Sequence, residues 1–223
     1  MANLYIVATP IGNLKDISLR ALQILKEVDL ILCEDTRTTK KLLDHYQIKK
    51  SLLSYHQHSK LQKIDYIMNL LKQGKNLALV SDAGTPGISD PGNKLIESAI
   101  QQNDRITIVP LPGPSAVATA ASIAGFSMDK FLFLGFPPVK NKRKKFFEEI
   151  INSKYPVIFY ESPYRIIKTL GELSSAINRK IVVCRELTKK FETVYRGEIK
   201  EAMGQIEKDI LKGEFVVIIE GKK

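Results

Sequence analysis

The stretch that decides the fold is Ser81-Asp82-Ala83-Gly84-Thr85-Pro86-Gly87-Ile88-Ser89-Asp90-Pro91-Gly92. An apolar run over residues 76–81 leads into it and reads as a strand, and residues 93–102 leave it with helical spacing. A strand that opens into a loop and then a helix is the repeating unit of parallel, helix-covered sheets. The loop holds three glycines, two prolines and two aspartates. Glycine allows positive φ and close backbone approach, and proline stiffens what lies between. Such a loop is costly to order unless it has a task, and its amides and carboxylates suit a polar ligand. The plainer alternative is a long surface loop.

Working outward, residues 4–8 and 29–33 read as strands. Residues 17–28, with Asp16 as N-cap, and residues 38–46 and 61–72 read as helices. Residues 106–110 form a further strand, so the first half has a β-α-β rhythm and a largely parallel sheet. Pro110-Leu111-Pro112-Gly113-Pro114 then breaks the pattern. A domain boundary is placed there, giving α/β domains over 1–112 and 113–223. The rhythm restarts beyond it. Helices are expected over 115–124, 142–151, 165–176 and 200–211, and strands over 131–134, 156–160, 181–184, 192–196 and 215–219.

Parallel sheets bind ligands at the carboxyl ends of their strands. Two further strand ends share the character of the first loop. Ala8-Thr9-Pro10-Ile11-Gly12-Asn13 follows the first strand but is not G-x-G-x-x-G, so the dinucleotide fingerprint is absent. It reads as a tight turn or as a nucleotide site. Pro112-Gly113-Pro114-Ser115-Ala116 opens a small-residue helix whose first amides are available to a carboxylate.

Lys plus Arg is 34 against 24 Asp plus Glu, a net charge of +10, which favours a polyanionic partner or is simply a basic surface. The run Lys140-Asn141-Lys142-Arg143-Lys144-Lys145 concentrates that charge beside Phe136-Pro137-Pro138. Phosphate contacts there would make binding salt-dependent; the alternative is a solvated helix start. Cys33 and Cys184 sit in apolar runs, outside any C-x-x-C, and read as buried thiols of a reducing compartment. His56-Gln57-His58 has no third ligand spaced for a metal. No apolar stretch approaches the roughly 18 residues that span a bilayer, and the start of the chain lacks a signal-peptide pattern. A cytoplasmic protein is the expectation.

Seven stretches, in order, resemble the ribosomal RNA small-subunit methyltransferase I family of the tetrapyrrole-methylase superfamily. They are Leu4 to Leu14, Glu34-Asp35-Thr36-Arg37, Ser81 to Gly92, Leu111 to Ala116, Phe133 to Pro138, Tyr160 to Arg165, and Cys184 to Lys189. The resemblance implies the two-domain class III methyltransferase fold, α/β in both domains, with S-adenosyl-L-methionine in the cleft between them. It implies 2′-O-methylation of a decoding-centre cytidine in 16S rRNA, performed on the 30S subunit by a homodimer. Many members look longer, with a small extra domain beyond the stretch matching residues 213–221. Carried over residue by residue, the cofactor positions fall on Pro10, Ile11, Asp82, Ala83, Gly84, Thr85, Ile88, Ser115 and Ala116. Phe159, Tyr160 and Cys184 fall where apolar cofactor contacts are expected. Relatives often have Gly-Asp-Pro where this chain has Gly84-Thr85-Pro86, which moves the carboxylate to Asp82 or Asp90.

A ribose hydroxyl is a weak nucleophile, and its proton must be removed or polarised. Candidate bases are Glu34, Asp35, Asp90, Glu161 and Glu186. The group Glu34, Asp35 and Arg37 is preferred as catalytic, because charge clusters there at a strand end. The alternative is a structural ion-pair network. Lys140, Lys142, Arg143, Lys144, Lys145, Arg165 and Arg185 are the expected RNA-binding cations. Glu161 and Arg165, four apart at a helix start, read first as a structural pair. No metal is needed. Competing functions are C-methylation of a corrinoid precursor, protein methylation of the diphthine-synthase kind, and a non-catalytic RNA-binding factor.

Overall fold

A computed structural model describes residues 2–56, 61–90, 92–101 and 106–222. His58, named with His56 above, lies outside the described residues. The chain forms two compact units, Met1–Ser115 and Ala116–Lys223.

The first unit runs β1 (Ala2–Val7), α1 (Leu19–Glu27), β2 (Leu30–Cys33), α2 (Thr36–His45), β3 (Leu52–Ser54), α3 (Leu61–Lys72), β4 (Leu77–Val80), α4 (Asn93–Ile100) and β5 (Ile106–Leu111). Its strands pair in the order β3-β2-β4-β1-β5, and every pairing is parallel. Side chains alternate across this sheet. Leu4, Ile6, Leu77 and Leu79 pack against α3 and α4, while Val7, Ile31, Ala78 and Val80 pack against α1 and α2. Burial on both faces explains why these strands read as unbroken apolar runs. β3 has only three residues, none fully buried, and carries no periodic signal. Asp16 does not cap α1. It ends a 3-10 turn, Leu14–Asp16, and the Ser18 hydroxyl caps α1 by accepting from the Ala21 amide at 3.1 Å. α2 starts two residues earlier than expected because Asp35 caps it, accepting from the Arg37 amide at 2.8 Å.

The second unit holds α5 (Ala116–Ser122), β6 (Leu132–Phe133), α6 (Arg143–Asn152), β7 (Val157–Glu161), α7 (Ile166–Ser174), β8 (Lys180–Arg185), β9 (Thr193–Glu198), α8 (Ile199–Glu207) and β10 (Phe215–Ile219). Its sheet order is β6-β7-β10-β8-β9. β6 and β7 are parallel, as the rhythm implies. β10 then inserts antiparallel between β7 and β8, and β9 is antiparallel to β8. The expectation of one parallel rhythm therefore fails for the last two strands. Only a short turn separates β8 from β9, too short for a parallel crossover. Phe159, Val183, Phe215 and Val217 point into a core built with α6, α7 and α8. α5 packs against β10.

Candidate active site

The carboxyl ends of β1 and β4 are joined by their own backbone, and the loop after β5 is fastened to them. Thr9 and Gly84 exchange both amide–carbonyl bonds at 2.9 Å. The Thr9 hydroxyl donates to the Ser81 carbonyl at 3.0 Å, and the Ser81 hydroxyl donates to the Gly84 carbonyl at 3.1 Å. Gly84 sits at φ +83°, which a side chain would strain, and a Cβ there would rest on Ile11. The Thr85 hydroxyl donates to the Pro114 carbonyl at 3.1 Å. A Cβ on Gly113 would stand 2.9 Å from that of Ala8, so the third loop lies directly on the first. Three loops that are far apart in sequence thus form one fixed cradle.

The end of β2 joins it through Asp82, whose Oδ1 accepts from the Asp35 amide at 3.0 Å. Asp82 and Ala83 are exposed, Ile88 is largely exposed, and Pro10 and Ile11 are buried beneath. Ser115 and Ala116 are half-buried at the start of α5, which has seven residues rather than the ten expected. Beside the cradle is a cavity of about 180 Å³ lined by Thr9, Pro10, Thr39, Leu42, Ser81 and Asp82, among others. The Thr39 hydroxyl is buried there, close to the Cys33 thiol. Sequence reasoning passed over Thr39 and Leu42. Their signal was a face of α2 following a charged strand end.

The two aspartates nearest this edge differ sharply. Asp35 is bound by the Arg37 guanidinium at 2.6 to 3.2 Å and by the Arg37 amide, which together hold its carboxyl down at about 2. It is a helix cap and an ion-pair partner, and a poor proton acceptor. Asp90 is pushed up to about 6, first by burial and then by the Glu34 carboxylate, with the Ser81 hydroxyl offsetting part of the rise. Glu34, Asp82 and Asp90 therefore share one electrostatic neighbourhood. Among the described residues no group of three His, Cys, Asp or Glu side chains is arranged to hold a metal.

In the second unit, Tyr160 and Cys184 share one cross-strand row, each paired with Val216. Tyr160 is half-buried against Phe133 and Phe136. Cys184 is fully buried, its thiol pushed up to about 11 by that burial, so its side chain has no surface to offer a ligand. Phe159 points to the opposite face, into the helix-side core.

The three arginines grouped with the RNA-facing lysines turn inward instead. Arg143 bonds Glu172 at 3.0 Å, the Thr169 hydroxyl at 2.9 Å and the Pro138 carbonyl at 3.1 Å. Arg165 pairs at 2.8 Å with Glu161, whose side chain has no exposed surface, and donates to the Pro137 carbonyl at 3.1 Å. Arg185 pairs with Asp209 at 2.6 Å and donates to the Lys212 carbonyl at 3.0 Å. A guanidinium has five donors in a rigid fork, so several local acceptors capture it. Glu186 is likewise engaged, accepting from Lys189 at 2.8 Å and from the Glu214 amide at 3.0 Å. Lys140, Lys142, Lys144 and Lys145 remain exposed.

A parallel sheet whose loops close into a backbone cradle, followed by a mixed five-stranded sheet, is an architecture shared with known methylases. Residues 3–203 match the profile described as Tetrapyrrole (Corrin/Porphyrin) Methylases. Solved structures of the same fold include a cobalt precorrin-4 methyltransferase (TM-score 0.71, 18% identity, covering 98% of this chain and 94% of that one). Another is a diphthine synthase (TM-score 0.75, 11% identity, covering 100% and 91%). At those identities the likeness is one of fold. Much closer in sequence is the ribosomal RNA small subunit methyltransferase I of Thermotoga maritima, 44% identical over 224 residues and covering 100% of both chains. That of Halalkalibacterium halodurans is 46% identical over 220 residues, covering 98% of this chain and 75% of that one. The chain belongs to the ribosomal RNA small subunit methyltransferase I family, within the tetrapyrrole methylases, and is a methyltransferase.

Proposed function

We propose that the protein 2′-O-methylates the ribose of a decoding-centre cytidine in 16S rRNA, with S-adenosyl-L-methionine as methyl donor. The observation that carries this reading is the full-length identity to relatives named for small-subunit rRNA methylation, one of which matches end to end. The family's small-molecule and protein methylases share only the fold at 18% and 11% identity, which gives their substrates no support here. No helix among the described residues is long and apolar enough to cross a membrane. In this reading the protein works in the cytoplasm as a homodimer, on the 30S subunit.

The cradle fits the cofactor chemically. Gly84 takes a positive φ that a side chain would strain, Gly113 lets its loop lie on Ala8 where a Cβ would intrude, and Asp82 presents an exposed carboxylate to a ligand's amino or hydroxyl groups. Pro10, Ile11, Asp82, Ala83, Gly84, Thr85, Ile88 and Ser115 of the first unit would hold it. When bound, S-adenosyl-L-methionine supplies an activated methyl group. The chain's own residues supply alignment, which can carry much of the rate for a good leaving group, and a proton acceptor. We assign that acceptor to the Glu34–Asp82–Asp90 neighbourhood, and first to Asp90. A carboxyl near 6 is ionised at neutral pH yet far more basic than one near 2. Asp35 and Arg37, preferred from sequence, keep a positioning role in this scheme: they fix the start of α2 and the amide that holds Asp82. The lysines of residues 140–145 would meet phosphate.

The test is incubation with labelled S-adenosyl-L-methionine and 30S subunits that lack the modification, followed by mapping of the product. Ribose methylation at one 16S cytidine is expected, and its absence sinks the reading. Asp90→Asn should lower kcat by about 100-fold or more while leaving cofactor affinity unchanged; full activity would remove Asp90 from the chemistry.

A further inference from the structure

We propose that one edge of the second unit is a stacking platform for unpaired RNA bases, with Tyr164 as the ring that stacks. The proposal rests on the reading that the substrate is RNA. Tyr164 is 95% exposed, although a tyrosine ordinarily covers much of its apolar ring. Its backbone is nevertheless fixed on both sides. Pro163 stiffens the turn before it. Arg165 after it is bound to the Glu161 carboxylate at 2.8 Å, the Ser162 hydroxyl at 3.2 Å and the Pro137 carbonyl at 3.1 Å. An exposed tyrosine on an anchored backbone has only its two χ angles to order when a flat partner covers it.

The bond from Arg165 to Pro137 also ties the Tyr164 turn to the loop that carries Phe136. That second ring is 54% exposed and leans on Tyr160 at 5.3 Å. The loop continues into Lys140 and Lys142, and its end is anchored by the bond from Arg143 to the Pro138 carbonyl at 3.1 Å. Lys142 holds φ +65°, a left-handed conformation that glycine or asparagine adopts at less cost. A cation is thus kept where the backbone favours a smaller residue. Of the exposed lysines in the run, only Lys144 has an acidic partner among the described residues, Glu148 at 3.8 Å. Exposed rings framed by uncommitted cations match what single-stranded nucleic acid presents: a π-face on every base and a phosphate between each pair. A protein partner fits less well, because interfaces deplete lysine.

The chain contains no tryptophan, so Tyr164→Trp installs a sole indole that keeps the stacking surface. The full-length protein is titrated with a single-stranded RNA oligonucleotide and with a duplex of the same sequence, and binding is followed by anisotropy of labelled RNA. The single strand should quench the indole several-fold and the duplex much less. Tyr164→Ala should weaken single-strand binding about tenfold with an unchanged salt slope, whereas Lys142→Gln should lower that slope by about 1. RNA that binds without quenching, or Tyr164→Ala binding as tightly as the parent, overturns the platform and leaves the RNA reading standing. A parent protein that binds no RNA overturns both. Quenching without ribose methylation of 30S subunits supports the platform and breaks the proposed reaction instead.

Discussion

The two units secure their loops by opposite means. In the first, the loops are held by backbone bridges, hydroxyls and close glycine approach: Thr9 to Gly84, Thr85 to Pro114, Gly113 against Ala8. In the second they are held by arginines paired with acids: Arg143 with Glu172, Arg165 with Glu161, Arg185 with Asp209. The difference teaches where charge remains available. The first unit holds these loops with few charged side chains; Asp82 gives one oxygen to the Asp35 amide and still presents an exposed side chain. The second commits Arg143, Arg165 and Arg185 to internal acids and leaves Lys140, Lys142, Lys144 and Lys145 exposed. A planar fork suits a fixed internal post, and a flexible ammonium suits a mobile phosphate backbone.

The largest effect expected from breaking this contrast is at Glu161. Its carboxylate accepts from Arg165, from the Thr169 hydroxyl at 2.7 Å and from the Ser162 amide at 2.8 Å. Glu161→Ala strands all three donors and should cost about 3 kcal/mol or more in urea unfolding. A loss below about 1 kcal/mol would show that the arginine posts do not hold the second unit together. The matching break in the first unit is Gly113→Val. It forces side-chain atoms into Ala8 and should cost about 1–3 kcal/mol by the same measurement, with a clear loss of cofactor affinity by calorimetry.

The carboxylates give the next test, through pH. Asp90 has a folded value near 6, above its ordinary 3.8. The folded state therefore binds more protons than the unfolded one between about pH 4 and 6, and this group's contribution to stability falls as pH rises through that window. Asp35 is the reverse. Held near 2, it stabilises the fold above about pH 4, and that contribution is lost as pH falls toward 2. Asp90→Asn should flatten the upper window in pH-dependent unfolding and remove an activity limb near pH 6. Asp35→Asn should change only the acid end. Equal profiles for the two variants would erase the distinction between proton acceptor and helix cap.

Much of the first unit was legible because its strands are buried on both faces and punctuated by glycine and proline. β3 was not, since three half-buried edge residues carry no period. In the second unit the apolar runs of β8 and β10 look the same whether paired parallel or antiparallel. The short turn between Arg185 and Thr193 was a usable sign of reversal. The cradle loops could be read as turns, but their meeting could not, because the bond from Thr9 to Ser81 spans 72 residues. The internal partners of the arginines were hidden for the same reason. Glu172 lies 29 residues from Arg143 and Asp209 lies 24 from Arg185, and charge alone names no partner. Only Glu161 and Arg165, four apart, declared themselves.

Lys142 sharpens the comparison from the side of the free cations. Replacing it by glycine relieves the left-handed backbone and should stabilise the protein by about 0.5–1 kcal/mol, while RNA binding weakens and its salt slope falls by about 1. Stability and binding moving in opposite directions would mark the strain as retained for the charge; a variant that loses both would make Lys142 part of the scaffold.

The smallest effect is expected at Arg37. Its guanidinium side chain is 87% exposed and its only ion pair among the described residues is with Asp35, so it lies between the two modes: an arginine on an acid, at the edge of the backbone-built cradle. Exposed pairs of this kind contribute little. Arg37→Ala should leave the melting temperature unchanged within error, because the Asp35 cap on the Arg37 amide survives the substitution. Activity is the informative measurement. If kcat and KM for 30S subunits also stay at parental values, Arg37 is a surface ornament of the helix cap. If KM rises with salt-dependent binding while kcat holds, Arg37 is the one arginine among those singled out from the sequence whose charge faces the substrate.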